Sequence, residues 1–243
     1  MLDYKTYYLD RLFDKYKDKD VEVLDLGSGT SKDWVDILKK YENIKYTGVE
    51  FDKNALNIAK TILSFSDKVS FINNFGEKLE TSLKEQFDIV ISLSVLEHVK
   101  NLDDFLLTSV NLLKPGGLLI HRYDLGHALH SESITEKIKV FLCKRLPFII
   151  SSSSFTTHPD KKGIVKFLNQ KGIQNIKIEQ HQIPNLKKLT NILKKNPENV
   201  LLMKKIIELD SELFNTLSSE SYEENKLDKY FPAITISGIK EYT

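Results

Sequence analysis

The sequence predicts an α/β fold in which a mostly parallel β-sheet is covered by helices on both faces. Strand-like and helix-like segments alternate five times within the first 123 residues. This alternation is typical of successive βαβ units, which form a parallel sheet. The run FDIVISL, residues 87–93, is almost continuously apolar, as expected of a strand that is buried on both sides.

The individual elements follow from the spacing of apolar residues and from the turn residues between them. The predicted helices span residues 1–19, 31–41, 52–65, 102–113, 131–146 and 159–172. The predicted strands span residues 21–26, 43–50, 68–74, 87–93, 117–123, 173–183 and 231–242. Lys114-Pro115-Gly116-Gly117 is expected to end the helix at 102–113. Residues 185–217 are predicted as one or two amphipathic helices interrupted at Pro197.

The chain contains no internal repeat, and we expect one domain over residues 1–243. Its core is predicted at about residues 20–123, 159–183 and 231–242, which carry the regular strands and helices. The segments at about 124–157 and 184–230 break this regularity. We expect them to form a helical cap over one end of the sheet.

The composition excludes several classes of protein. The 243 residues include 35 Lys and Arg against 34 Asp and Glu, a formal net charge of +1. A protein that binds nucleic acid usually carries a basic excess, so we expect no nucleic-acid partner. The 41% hydrophobic content, with 13 Phe and 10 Tyr, argues against disorder.

Features of the sequence also indicate a cytoplasmic location. The single cysteine, Cys143, excludes an intrachain disulfide and a cysteine-rich zinc site, and it fits a reducing compartment. No secretory signal is recognisable at the N-terminus. The apolar stretch at 140–150 is interrupted by two basic residues and Pro147, so it cannot span the roughly 20 apolar residues of a bilayer.

The turn after the first strand carries the strongest chemical signal. In VLDLGSGTS, residues 23–31, Gly27 and Gly29 allow a tight turn and a close approach of a ligand to the backbone. A pyrophosphate-binding G-x-G-x-x-G turn would have its third glycine at position 32, which is Lys32. The turn therefore disfavours an NAD-dependent oxidoreductase.

Two acidic residues near this turn indicate what the ligand carries. Asp25 near the end of the first strand suits a cationic or ammonium-bearing group better than a diphosphate. Glu50 ends the second strand about 20 residues beyond the glycines, where an acidic residue accepts hydrogen bonds from both ribose hydroxyls. The site is therefore predicted to bind a nucleoside with a positively charged, amine-bearing arm.

Together with four later segments, this turn resembles that of the class I S-adenosyl-L-methionine (SAM) methyltransferases. The resemblance covers roughly residues 20–123 and includes, in order, VLDLGSGTS, VEFD, NNFGEKL, FDIVISLSVLEHV and LLKPGGLLI. It implies a Rossmann-like sheet of seven strands, the last antiparallel. It also implies SAM as the cofactor and S-adenosyl-L-homocysteine as its product.

The resemblance implies the cofactor contacts residue by residue. The methionine end is expected at Asp25, Gly27, Ser28 and Gly29. The ribose is expected at Glu50, and the adenine at Phe51, Asn74 and the backbone of Phe75. Asn74 stands where the family usually has an Asp, so this contact is altered. The methyl side is expected at Ser92 and Leu93.

Candidate catalytic residues follow the fourth and fifth strands, because ligands of open α/β sheets bind at the carboxyl ends of the strands. An alcohol acceptor loses its proton during methyl transfer, and histidine titrates close to neutral pH. We expect His121 or His127 to be the general base, with Asp124 as the carboxylate that orients it. His98 is the competing candidate.

The segment HRYDLGHALH, residues 121–130, is also similar to methyltransferases of bacterial glycan and capsule pathways. This resemblance implies O-methylation of a small polar acceptor such as a sugar, a sugar nucleotide or a surface-glycan precursor. The lysines of 185–205 favour an anionic acceptor. The alternatives are N- or C-methylation of another small metabolite and a non-catalytic SAM-binding partner subunit. The oligomeric state stays open.

Two further classes are disfavoured. A nucleic-acid methyltransferase would carry an Asn/Asp-Pro-Pro-Tyr type motif, whereas the fourth strand ends in SLSVLEH. His121, Asp124, His127 and His130 recur at three-residue steps, as metal ligands on a tight helix would. Because the fifth strand is predicted to continue through His121, these residues would not share one face, and we expect no metal.

Overall fold

A computed structural model describes residues 3–76, 79, 86–125, 138, 141–143, 145, 155–219 and 224–242. Its strands are β1 (Val21–Leu26), β2 (Ile44–Val49), β3 (Val69–Ile72), β4 (Phe87–Leu93), β5 (Leu113–Asp124), β6 (Ile173–His181) and β7 (Ala233–Lys240). They form one seven-stranded sheet in the order β3-β2-β1-β4-β5-β7-β6. Strands β1 to β5 are parallel, and β7 is antiparallel to both β5 and β6. The predicted sheet, with its last strand antiparallel, is confirmed.

The helices connect the strands and lie on both faces of the sheet. They are α1 (Tyr4–Asp14), α2 (Val35–Lys40), α3 (Lys53–Ile62), α4 (Leu102–Leu112), α5 (Lys161–Gln170), α6 (Pro184–Leu193), α7 (Val200–Ser219) and α8 (Glu224–Tyr230). The predicted interruption at Pro197 is a short 3₁₀ turn between α6 and α7. Across the described ranges, no helix combines the length and the apolar character needed to cross a membrane.

The bounds of several predicted elements differ from the observed ones, and α1 and β5 are two examples. Helix α1 ends at Asp14 rather than at residue 19. Strand β5 begins at Leu113, four residues before the predicted start at 117. Lys114-Pro115-Gly116-Gly117 ends α4 as predicted but forms an irregular start of β5, because Leu113 pairs with Phe87 and Leu118 pairs with Ile89. Gly116, with φ of +74°, permits this bulge.

The predicted helix at 131–146 lies mostly outside the described residues. Residues 138, 141–143 and 145, which the structure does describe, are helical. The segment at 184–230 contains α6, α7 and α8, and α7 packs against β6. The division into a core and a cap stays a prediction.

The core consists of two apolar layers, one on each face of the sheet. Leu24 and Leu26 of β1 point into the layer that contains α4 and α5. Val21 and Val23 point into the opposite layer, which contains α1, the turn before α2, and α2. Side chains alternate along a strand, so Asp25 falls on the α1 and α2 side. This alternation positions the acidic residue that the sequence analysis selected.

Candidate functional site

Asp25 is buried at the end of β1, with an exposed fraction of 3%. Its Oδ2 accepts hydrogen bonds from Nε1 of Trp34, at 2.7 Å, and from the hydroxyl of Tyr46, at 3.0 Å. Its Oδ1 is buried without a hydrogen-bond partner in the described structure. Burial raises the pKa of Asp25 to about 6, against the lowering effect of the two hydrogen bonds. One carboxylate oxygen is therefore held in place while the other is left for a ligand.

The two glycines of the turn are required for different structural reasons. Gly27 has φ of +76°, and a Cβ added there would lie 2.6 Å from Cγ2 of Val95. Gly29 has φ of +55°, but a Cβ added there would meet no atom within 4 Å among the described residues. Gly27 is therefore required by close packing as well as by backbone conformation, whereas Gly29 is required by conformation alone.

Glu50 follows β2 and faces the same turn, with an exposed fraction of 7%. Its Oε2 accepts a hydrogen bond from the backbone N–H of Gly29, at 2.9 Å. Its Oε1 accepts one from the backbone N–H of Asp52, also at 2.9 Å. The carboxylate is thus fixed beside the turn, at the position that the sequence predicted for the ribose-binding residue.

Three cavities of the described structure meet at Ser94. Cavity A, of about 290 Å³, is lined by Gly27, Glu50, Phe51, Asn74, Phe75 and His98, among others. Cavity B, of about 250 Å³, is lined by Lys5, Asp25, Gly27, Ser28, Gly29 and Leu93, among others. Cavity C, of about 330 Å³, is lined by Tyr4, Lys5, Arg122, Asp124, Lys187 and Lys194, among others. Ser94 lines all three cavities.

Ser94 has an unusual backbone conformation for its residue type. Its φ of +61° lies in the left-handed region, which serine rarely occupies. Its backbone N–H donates a 2.7 Å hydrogen bond to the carbonyl oxygen of Arg122. Strained residues of this kind concentrate at ligand-binding sites, which agrees with the position of Ser94 where the cavities join.

Two aromatic rings form one side of cavity A. Phe51 and Phe75 are stacked with ring centroids 5.0 Å apart and an interplanar angle of 8°. Phe51 is 43% exposed, so part of its side chain faces solvent. Oδ1 of Asn74, which also lines this cavity, accepts a hydrogen bond from the backbone N–H of Phe75 at 2.8 Å. The residues predicted around the adenine thus lie together in one cavity.

The structure places His121 away from the cavities, which corrects its predicted role as the base. The side chain is fully buried on the α4 side of the sheet. Oγ of Ser109 donates to the carbonyl oxygen of Leu106 at 2.7 Å, so it accepts from Nε2 of His121 at 3.1 Å. Nδ1 of His121 then accepts from the hydroxyl of Ser92 at 2.8 Å. Burial lowers the pKa of His121 to about 3, so the ring is neutral and both its nitrogens are engaged.

Ser92 is also placed differently from its prediction, because its side chain is turned toward His121 and is fully buried. Leu93, the next residue and the other one expected at the methyl side, lines cavity B. Asp124 ends β5 in cavity C, where its Oδ2 forms an ion pair with Nζ of Lys187 at 2.7 Å. His127 and His130 lie outside the described residues.

Of the predicted catalytic histidines, His98 is the one that the described residues place at cavity A. It lies in the 3₁₀ turn Leu96–His98 after β4, is exposed, and lines cavity A. Its Nδ1 lies 2.9 Å from the carbonyl oxygen of Phe155. A carbonyl only accepts, so Nδ1 carries the proton and the neutral ring presents its lone pair at Nε2. This is the tautomer that a general base requires.

Four residues at the site were not predicted from the sequence: Trp34, Tyr46, Lys5 and Arg122. Trp34 is the single tryptophan of the chain and follows the glycine turn closely. This position in the sequence could have indicated that Trp34 belongs to the site. Lys5 of α1 lines cavities B and C, and its Nζ lies 3.5 Å from the carbonyl oxygen of Leu93. Within the described ranges, no group of three His, Cys, Asp or Glu side chains is arranged to hold a metal ion.

Comparison with known proteins agrees with this geometry. Residues 24–119 match the family model described as a methyltransferase domain. A ubiquinone biosynthesis O-methyltransferase of Rickettsia bellii is 29% identical over 117 residues, which cover 47% of each chain. The corresponding protein of Maricaulis maris is 35% identical over 78 residues, 32% of this chain and 26% of that one. The chain spans about half the length of the first of these relatives.

Solved structures show the same fold at low sequence identity. Haemonchus contortus phosphoethanolamine N-methyltransferase 2, solved with SAM, has a TM-score of 0.64 at 15% identity, over 97% of this chain and 53% of that one. A SAM-dependent methyltransferase of Archaeoglobus fulgidus has a TM-score of 0.58 at 15% identity, over 97% and 94% of the two chains.

Residues 24–119 are thus similar to a methyltransferase domain, and the sheet has the fold of the solved SAM-dependent methyltransferases.

Proposed function

We propose that this protein transfers a methyl group from SAM to an oxygen atom of a small-molecule acceptor. One observation carries the proposal: cavities A and B, which are lined by the acidic residues suited to SAM, share the lining residue Ser94 with cavity C. The donor and the acceptor thus have adjacent spaces at the carboxyl ends of β1, β4 and β5, where α/β folds bind ligands. The names of the Rickettsia and Maricaulis relatives support O-methylation.

Cavity B suits the methionine end of SAM, and cavity A suits its nucleoside. The buried Oδ1 of Asp25, which lacks a partner in the described structure, would attract the positive charge there. Glu50 would exchange its hydrogen bonds with backbone N–H groups for bonds with the ribose hydroxyls. Phe51 and Phe75, at 5.0 Å between centroids, leave no room for a base between them, so the adenine would stack on an outer ring face.

The residues of the chain contribute positioning and proton removal. SAM, when bound, supplies a methyl group on a sulfonium whose departure as a neutral thioether drives the displacement. Lys5 and Leu93 bound the space where the donor and the acceptor meet. Nε2 of His98 would take the proton that the acceptor hydroxyl loses as its oxygen bonds to the methyl carbon. His127 remains an alternative base, with Asp124 as its orienting carboxylate.

The identity of the acceptor is a finer hypothesis. Our expectation of a sugar, a sugar nucleotide or a surface-glycan precursor rests on the segment at 121–130, which is described only as far as Leu125. The curated relatives are named for ubiquinone biosynthesis instead. N- or C-methylation and a non-catalytic SAM-binding subunit are the alternatives, and a cytoplasmic location stays our prediction.

A binding and turnover experiment tests the proposal. Calorimetric titration should show SAM binding, and the Glu50→Ala variant should bind about tenfold more weakly or worse, because each charge-assisted hydrogen bond contributes about 1.5–3 kcal/mol. Lys188→Ala, an exposed residue outside the three cavities, is the matched control. Tight binding of NAD instead of SAM would refute the proposal.

Transfer itself is measured with SAM labelled in its methyl group and a pool of hydroxyl-bearing acceptors. The carbon-13 shift of the product methyl group separates O-methylation from N- and C-methylation. Binding of SAM without transfer to any acceptor of the pool would favour the non-catalytic alternative.

A further inference from the structure

Arg122 is a buried cation without a counter-ion in the described structure. It lies in β5 with an exposed fraction of 2%. Its Nη2 has no hydrogen-bond partner, and none of the described carboxylates forms an ion pair with it. A buried charge without a partner is costly, and an arginine stays protonated in proteins. A position of this kind calls for a ligand that supplies the missing negative charge.

The nearest carboxylates are held by other groups. Asp124 Oδ2 pairs with Nζ of Lys187 at 2.7 Å. Oδ1 of Asp3 accepts the backbone N–H groups of Lys5 and Thr6, each at 2.9 Å, and so caps α1. With Lys5, Arg122, Lys187 and Lys194 against two carboxylates, the lining of cavity C carries an excess of positive charge.

A second group without a partner lies beside Arg122. The hydroxyl of Tyr4 is buried without a hydrogen-bond partner in the described structure. Tyr4 and Arg122 both line cavity C and also the larger cavity D, of about 720 Å³, between α1, β6 and α7. Oγ1 of Thr235, the neighbour of Arg122 across β5 and β7, is likewise buried without a partner among the described residues. Buried polar groups are nearly always satisfied in native proteins, so these atoms mark a binding site.

We propose that Arg122 and the hydroxyl of Tyr4 bind an anionic group of the methyl acceptor, a carboxylate or a phosphate. The acceptor role rests on the proposed function. The planar guanidinium matches either oxyanion with two parallel hydrogen bonds. Ser94 links this position to the proposed SAM site. Its backbone N–H donates a hydrogen bond to the carbonyl oxygen of Arg122, and Ser94 itself lines cavities A and B. An acceptor held at Arg122 would therefore extend toward the methyl group.

Direct binding of two simple probes tests the site independently of catalysis. Inorganic phosphate and benzoate are titrated into the full-length protein by calorimetry, with and without S-adenosyl-L-homocysteine. Arg122→Met keeps a side chain of similar length without the charge. Tyr4→Phe removes only the hydroxyl and keeps the ring in its contact with Tyr7 and Ile207. Lys188→Met is the control, since it removes an exposed positive charge outside cavity C.

We expect one of the two probes to bind the parent and Lys188→Met equally, and to bind Arg122→Met at least about tenfold more weakly. Tyr4→Phe should show a smaller loss in the same direction. The probe that binds identifies the anion as a phosphate or a carboxylate. Equal binding of both probes to the parent, Arg122→Met and Tyr4→Phe, or no binding to the parent, would overturn the proposal.

Turnover with matched acceptors links the site to methyl transfer. A hydroxybenzoate, a hydroxyphenyl phosphate and the uncharged hydroxybenzamide differ in their anionic group, and each offers a hydroxyl. Loss of Arg122 should raise KM for the anionic acceptor that is methylated and change kcat less. Failure to bind S-adenosyl-L-homocysteine would contradict the proposed function but not the anion site, because binding of the anion is measured in a separate titration.

Discussion

The indole Nε1 of Trp34 donates a 2.7 Å hydrogen bond to Oδ2 of Asp25, linking the turn before α2 to the end of β1. The hydroxyl of Tyr46 in β2 donates to the same oxygen. Two donors on one oxygen fix the orientation of the carboxyl group, and Oδ1 remains for a cation in cavity B. The position that the glycine turn offers to a ligand is therefore set by residues from three elements.

The titration of Asp25 should control the affinity for SAM. Burial raises the pKa of this carboxyl to about 6, so in the free protein it is protonated below that pH and charged above it. A cationic ligand prefers the charged form, so affinity should rise with pH and level off near pH 7. At pH 5 the ionised fraction, and with it the affinity, should be roughly tenfold lower.

Calorimetric titration of SAM at several pH values measures this dependence. Asp25→Asn should bind more weakly and show no rise through pH 6. Glu50→Gln serves as the control, since it should weaken binding and keep the rise. A parent protein whose affinity is flat over this range would rule out Asp25 as the group that faces the cation.

Alanine at the two turn glycines should have unequal effects. Both residues have positive φ, which costs a non-glycine residue roughly 1–2 kcal/mol. Gly27→Ala adds a collision with the side chain of Val95, so it should destabilise the fold more than Gly29→Ala does. Urea unfolding of each variant measures the difference.

Val95→Ala in the Gly27→Ala background provides the decisive comparison. If the collision is the cause, the double variant should be more stable than the sum of the two single changes predicts. Additive losses would mean that backbone conformation alone explains the requirement for Gly27.

Replacement of His98 should reduce turnover and leave the cofactor bound. His98→Gln retains a polar side chain but cannot take the proton, so kcat should fall about 10²–10⁴-fold with the affinity for SAM unchanged. If the rates of this variant are close to those of the parent, His98 is not the base, and either His127 takes that role or no histidine does.

His121 should instead affect stability in acid. Burial lowers its pKa to about 3, below the ordinary value of 6.5, so the folded protein binds fewer protons here than the unfolded chain between those values. The free energy of unfolding should therefore rise with pH from about 3 to 6.5 and be lost as the pH falls. His121→Gln should reduce this slope in denaturant titrations. His181, whose pKa is also lowered to about 3 by burial and by Arg122, should preserve part of the slope in this variant. An unchanged slope would contradict the neutral, buried state of His121.

Much of the sheet could be predicted, and candidate residues for the cofactor could be selected, because the signals are local. The ends of strands can be predicted, because an apolar run stops there at turn residues. Such strand ends carry Asp25, the two glycines and Glu50. The partners of Asp25 could not be predicted in the same way. They depend on the pairing of β2 with β1, which puts Tyr46 opposite Val23, and on the packing of the turn at Trp34.

The histidine prediction failed for a related reason. His121 was predicted as the base because it lies near the carboxyl end of β5, but residues that alternate along this strand point to opposite faces of the sheet. His121 therefore points toward α4 and Arg122 toward α1. Which face a strand residue occupies is decided by the neighbouring elements, and for a charged residue such as Arg122 general preference favours the surface.

The order of the strands also determines when each one can join the sheet during synthesis. Strand β7 lies between β5 and β6, so β6, which is made earlier, has no partner until the last strand has emerged. The segment from β1 to β5, with Asp25, Glu50 and His98, is complete at Asp124. Since domains begin to fold while translation proceeds, the cofactor half can form on the nascent chain. The surroundings of Arg122, which include Thr235 of β7, are completed only at the end.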